Sequence, residues 1–147
     1  MRSAHRREYL RQYLVLHEPI ARPWFDNHRT KRTLSLVRKE EKSLVTHVTE
    51  STYQQEVESH PGRVLIDFYT PTCPPCRAFA PTLDQIAAEQ AGTLKVVKID
   101  ASEEPNLATE FGVRAVPTFV LLERGTRKAQ IVGARSKKAF EQWLAEN

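Results

Sequence analysis

The chain has 147 residues, 40% apolar and 27% charged, the size and balance of one globular domain with a short appendage, which excludes a large multidomain enzyme. Its formal charge of +4 is unevenly spread: residues 1–42 hold 11 Lys/Arg against 5 Asp/Glu, whereas residues 43–147 hold 11 against 13. Two cysteines exclude a disulfide framework of the secreted type, and no run approaches the roughly 18 apolar residues of a membrane span.

Residues 1–42 read as a basic N-terminal extension broken by Pro19 and Pro23. Tyr9, Leu10, Tyr13, Leu14 and His17 predict a helix from about Arg6 to His17, and Trp24-Phe25 is the apolar feature suited to docking. Leu14-Val15-Leu16 is far shorter than the roughly 7–15 apolar residues of a secretory signal, so export by that route is not expected. Arg2, Arg6, Arg7 and Arg11 alternate with apolar residues as in a transit peptide, but Glu8 and Glu18 run against that pattern. A cytoplasmic location is the expectation, with organelle targeting by the extension left open.

From residue 43 the pattern becomes regular. A strand is predicted around Leu44–Val48, then Thr49 as the N-cap of a helix near Ser51–Glu58, then a break at His60-Pro61-Gly62. Val64–Tyr69 is a nearly continuous apolar run, as in a central strand buried on both faces, with Asp67 as the anomaly inside it. Phe79, Leu83, Ile86 and Ala87 fall at helical spacing after Cys76; Gly92 ends that helix, and Pro81 is expected to kink it. Further elements are a strand Leu94–Asp100, a short helix Pro105–Phe111 ended by Gly112, and a strand Thr118–Leu122. A turn Arg124-Gly125-Thr126 leads into a strand Ala129–Val132, and a helix capped by Ser136 presents Ala139, Phe140, Trp143 and Leu144 inward. This β-α-β-α-β-α-β-β-α order implies an α/β fold, a mixed central sheet with helices on both faces.

Cys73-Pro74-Pro75-Cys76 follows the buried strand and opens a helix. Cys73, at the helix N-terminus, lies where unpaired N–H groups and the helix dipole stabilise a thiolate, and is the candidate nucleophile. Cys76, one turn on, faces the same side and is the candidate resolving thiol for a mixed disulfide at Cys73. Pro74 and Pro75 stiffen the turn and remove two amides that would otherwise help hold the thiolate. The alternatives are two inert core cysteines or half a zinc site, although the chain has no second Cys-x-x-Cys or His-x-x-x-His and no metal is expected.

Residues 43–147 resemble the thioredoxin family. The resemblance rests on Asp67-Phe68-Tyr69, Cys73-Pro74-Pro75-Cys76-Arg77, Ala80-Pro81 with Leu83, Val97-Lys98 with Asp100, Phe111–Thr118, Gly125 and Val132-Gly133-Ala134, all at the family's spacing. It implies the thioredoxin fold and a protein-disulfide reductase with a redox disulfide Cys73/Cys76. In that role Asp67 is the buried proton shuttle for Cys76, Lys98 tunes Asp67, and Pro117 is a cis-proline after Val116. Thr72, Pro74, Val116, Gly133 and Ala134 would form the substrate surface. No resident cofactor is implied; reducing equivalents would come from NADPH through a thioredoxin reductase. Disulfide-containing client proteins and that reductase are the implied partners; from the apolar runs and the charge pattern no membrane or nucleic-acid partner is expected, and a monomeric chain is the expectation. Tyr69 and Thr72 stand where the family usually has tryptophans, and Pro74 where its commonest motif has glycine, so the contact platform is more polar. Two alternatives follow: a thioredoxin-like protein restricted to particular partners, or a binding scaffold whose basic arm engages an acidic partner.

Overall fold

The computed structural model describes residues 44–147; the helix expected at Arg6–His17 and the docking expected of Trp24-Phe25 lie outside the described residues. Five strands, β1 (Val45–His47), β2 (Arg63–Tyr69), β3 (Leu94–Asp100), β4 (Thr118–Glu123) and β5 (Thr126–Val132), form one sheet in the order β1-β3-β2-β4-β5. β1, β3 and β2 run parallel, and β4 and β5 are antiparallel, which makes the sheet mixed. Four helices accompany it among the described residues: α1 (Glu50–Tyr53), α2 (Pro74–Glu89), α3 (Pro105–Glu110) and α4 (Lys137–Glu146).

β2 lies at the centre, and its side chains alternate between two cores. Leu65 joins Phe79, Leu83 and Ile86 of α2 and Phe140 and Leu144 of α4. Val64, Ile66 and Phe68 join Val57, Leu107, Ala108 and Phe111 on the other face. Both faces being covered explains the nearly continuous apolar run, and it leaves Asp67 the one buried charged residue among those described. Phe79, Phe119 and Phe140 meet with ring centroids 4.8–5.1 Å apart, fixing α2 against the sheet through the turn that follows its cysteines.

Three details differ from the sequence reading. The helix expected near Ser51–Glu58 is α1 followed by a wider π-helical turn, Gln54–Glu58, whose end is closed by the Ser59 N–H on the Gln54 carbonyl at 2.9 Å. Its one buried side chain, Val57, is a packing anchor that local propensity does not announce. β5 begins at Thr126 rather than Ala129, because its exposed polar residues pair through the backbone; the ladder slips between Leu121 and Leu122. In α4, Ala139, expected to face inward, is exposed, and only Phe140 and Leu144 are buried, whereas α2 holds Pro81 in its interior as expected.

Strand directions gather the connecting segments at one end of the sheet. β2 and β3 finish side by side, with Tyr69 opposite Asp100. β4 starts at Thr118, opposite Phe68 on one side and Val132, the last residue of β5, on the other. The turn to Cys73, the loop before Thr118 and the loop after Val132 therefore share that end, at the carboxyl ends of the parallel strands where α/β sheets place their sites.

Candidate active site

After Tyr69 the chain turns sharply, and the Cys73 N–H donates to the Thr70 carbonyl at 3.2 Å. Cys73 is the N-cap of α2, with extended backbone, and Pro74 and Pro75 fill the first helical positions. Prolines carry no N–H, so the first amide left to this helix terminus is that of Cys76, and it donates to Cys73 Sγ at 3.2 Å. The two cysteines form a disulfide, their Cα atoms 5.3 Å apart. Cys73 is 7% exposed and Cys76 3%, so an incoming thiolate has readier access to Cys73.

Asp67 shares the sheet face of Leu65, the face covered by α2. It is buried, its Oδ2 is 3.8 Å from Lys98 Nζ, and its Oδ1 has no hydrogen-bond partner among the described residues. Burial pushes its pKa from 3.8 up to about 6, with the positive charge of Lys98 restraining the rise. A carboxyl in that range both accepts and returns a proton near neutral pH, the requirement for general acid–base work.

Strand register places Asp67 in a row across the sheet: His47, Lys98, Asp67, Phe119 and Ile131. Tyr69, one pleat beyond Asp67, covers the polar part of this row. Lys98 Nζ lies 4.5 Å from its ring centroid, and its hydroxyl is 3.3 Å from His47 Nδ1. Burial, then the carboxylates of Asp100, Glu103 and Asp67, raises the Tyr69 pKa, so the phenol stays protonated. Sequence reasoning noted Tyr69 only as a replacement and did not single out His47; the pairing of β1 with β3 that aligns His47 with Lys98 has no signature in one sequence.

The Val116–Pro117 peptide bond is cis. Thr118 Oγ1 donates to the Ala115 carbonyl at 2.6 Å, and the Gly133 N–H donates to the Pro117 carbonyl at 2.8 Å, so the loops before β4 and after β5 are tied together. Gly133 has φ +86°, a left-handed conformation that favours glycine. The Val116 N–H and carbonyl have no hydrogen-bond partner among the described residues, which leaves them free for an extended chain laid alongside. Thr72, Pro74 and Ala134 are exposed, Val116 and Gly133 half-buried, and Pro117 buried. Direct contacts thus join Cys73 to Cys76, Asp67 to Lys98 and Pro117 to Gly133, whereas Thr72, Pro74 and Ala134 share the same end of the sheet without side-chain hydrogen bonds. Among the described residues no group of three or more His, Cys, Asp or Glu is placed to hold a metal ion.

Comparison with known proteins agrees with this geometry. The family described as Thioredoxin matches residues 44–146. Thioredoxin 1 of Nostoc sp. (strain PCC 7120 / SAG 25.82 / UTEX 2576) is 39% identical over 105 residues, covering 71% of this chain and 98% of that protein. Thioredoxin 1 of Synechococcus elongatus (strain ATCC 33912 / PCC 7942 / FACHB-805) is 40% identical over 102 residues, 69% of this chain and 95% of its own. Thioredoxin of Porphyra purpurea is 39% identical over 100 residues, 68% and 94% of the two chains. With a disulfide at the N-terminus of α2, a buried carboxyl on the sheet face that α2 covers, and this likeness over the whole described region, the chain belongs to the thioredoxin family of protein-disulfide oxidoreductases.

Proposed function

We propose that the Cys73/Cys76 dithiol reduces disulfides of client proteins, with each residue acting in the following order. The Cys73 thiolate attacks one client sulfur; the client S–S bond breaks, a mixed disulfide with Cys73 forms, and the displaced thiolate takes a proton. Cys76 passes its proton to the Asp67 carboxylate and attacks Cys73 Sγ. The Cys73–Cys76 bond forms, and the second client sulfur leaves as a thiolate that is protonated in turn. Two electrons have moved from the protein dithiol to the client. Lys98 keeps the Asp67 pKa close to neutrality, and the Val116 backbone holds the client segment extended beside the cysteines, with Thr72, Pro74, Gly133 and Ala134 around it. Reducing equivalents return from NADPH through a thioredoxin reductase, whose thiolate reaches the more accessible Cys73. The chain acts as a monomer in a reducing compartment such as the cytoplasm.

The observation that carries this order of events is the unequal placement of the two sulfurs: Cys73 at the helix terminus, accepting the Cys76 N–H, and Cys76 more deeply buried. Dithiol-driven reduction of insulin tests it. Cys73→Ser abolishes turnover, whereas Cys76→Ser accumulates a covalent adduct through Cys73 that dithiol releases. Trapping through Cys76 in a Cys73→Ser protein is the result that overturns the assignment.

A further inference from the structure

The segments around the disulfide are charged in one sense only. Residues 70–78, 112–117 and 133–138 carry Arg77, Arg114, Arg135, Lys137 and Lys138 and no Asp or Glu, although residues 43–147 as a whole hold more acidic than basic side chains. Lys137 is neutralised by Glu89 at 2.6 Å and Glu141 at 3.6 Å. Arg77, Arg114, Arg135 and Lys138 are exposed. Among the described residues they are the only Lys and Arg side chains held by no ion pair, hydrogen bond, aromatic ring or neighbouring carboxylate.

Acidic residues at this end of the sheet lie on the opposite flank. Asp100, Glu103 and Glu104 follow β3, where Asp100 Oδ1 accepts the Ser102 N–H at 2.9 Å and Glu104 Oε2 accepts the Glu50 N–H at 3.1 Å. Strand order β1-β3-β2-β4-β5 puts the disulfide, after β2, between an acidic side at β3 and a basic side at β4 and β5. The basic side also holds Val132, one of two exposed large apolar residues among those described, at the end of β5 next to Gly133.

We propose that this basic flank is a docking surface for acidic polypeptide segments adjoining the client disulfide, so that the chain selects clients by charge. The inference rests on the oxidoreductase function and adds its substrate class. An extended segment beside Val116 lies along the β4–β5 side, where its carboxylates meet Arg114, Arg135 and Lys138 and an apolar residue meets Val132. Unpaired exposed cations of this kind contribute little to folding but raise the encounter rate of an oppositely charged partner. A polypeptide fits better than a nucleic acid. Asp100, Glu103 and Glu104 would repel a phosphate backbone crossing this end, and no Phe, Tyr or Trp among the described residues is fully exposed for stacking on bases.

The test uses the full chain, whose basic extension is common to every variant compared. Two disulfide peptides share one core and carry either three Glu or three Lys beside it, and the second-order rate constant for reduction of each is measured. At about 20 mM salt the acidic peptide reacts about tenfold faster, and the ratio falls toward one at about 0.5 M, where screening extends over only a few ångströms. Arg135→Glu lowers the ratio severalfold, and Arg114→Glu with Arg135→Glu brings it to one or below. Arg124→Glu, the same charge change in the β4–β5 turn at the far end of the sheet, leaves the ratio unaltered. A ratio near one in the unaltered protein, an equal effect of Arg124→Glu, or stronger inhibition by a short single-stranded oligonucleotide than by an unreactive acidic peptide overturns the proposal. Reduction of neither peptide rejects the oxidoreductase function itself, and selection by charge with it.

Discussion

Asp67→Asn gives the sharpest test of the buried carboxyl. Because the folded pKa is raised, the native protein holds a proton that the unfolded chain releases, so stability declines as pH rises from about 4 through about 6 and is level above that. Moving a carboxyl from 3.8 to about 6 corresponds to about 3 kcal/mol between the two protonation states. Asparagine has nearly the same shape and no charge, so it avoids that penalty, which is already net of the attraction of Lys98; because the unfolded carboxyl is partly ionised at pH 4, about 2 kcal/mol of it develops between pH 4 and pH 8. Urea unfolding of the oxidised protein is the assay. The Asp67→Asn variant is as stable as the unaltered protein at pH 4 and more stable by about 2 kcal/mol at pH 8, the difference opening between those limits. A gap that does not change with pH, or an Asn variant less stable at pH 8, refutes the reasoning, because either result means that ionised Asp67 carries no net desolvation cost. The same variant reduces insulin more slowly at neutral pH if, as proposed above, Asp67 accepts the Cys76 proton.

Two further outcomes follow from the neighbours of the site. Lys98→Gln removes the charge that restrains Asp67, so the pH at which the stability curve levels off moves above about 6, read from the same unfolding series. Pro75→Ala restores an N–H at the helix terminus beside Cys73 Sγ, so in the reduced protein Cys73 is alkylated by iodoacetamide severalfold faster at pH 6 than in the parent, as followed by mass spectrometry.

The legible parts of this protein were those written into short stretches of chain. β2 and β4 announce themselves because strands buried on both faces are apolar at nearly every position, and Asp67 stands out against that background for the same reason. Cys73-Pro74-Pro75-Cys76 is legible because helix-terminus chemistry needs its residues in consecutive turns. The start of β5 was not legible: Thr126, Arg127 and Lys128 are exposed, and what makes them a strand is the backbone ladder to β4.

The surroundings of Asp67 depend on a different kind of information. Lys98 is 31 residues away and His47 is 20 away in the other direction, yet register seats all three in one row, because β1 and β2 both pair in parallel with β3. A slip of one residue in either pairing would turn Lys98 or His47 to the opposite face. Register here is fixed by apolar partners in the same strands, Val45 against Val96 and Leu65 against Val96, which belong to the core under α2. The electrostatics of the site are therefore set by packing two residues away along each strand. Tyr69 extends the same logic outward: its ring lies over the half-buried Lys98 ammonium while its hydroxyl meets His47, so one residue both covers the cation and closes the polar row beneath it.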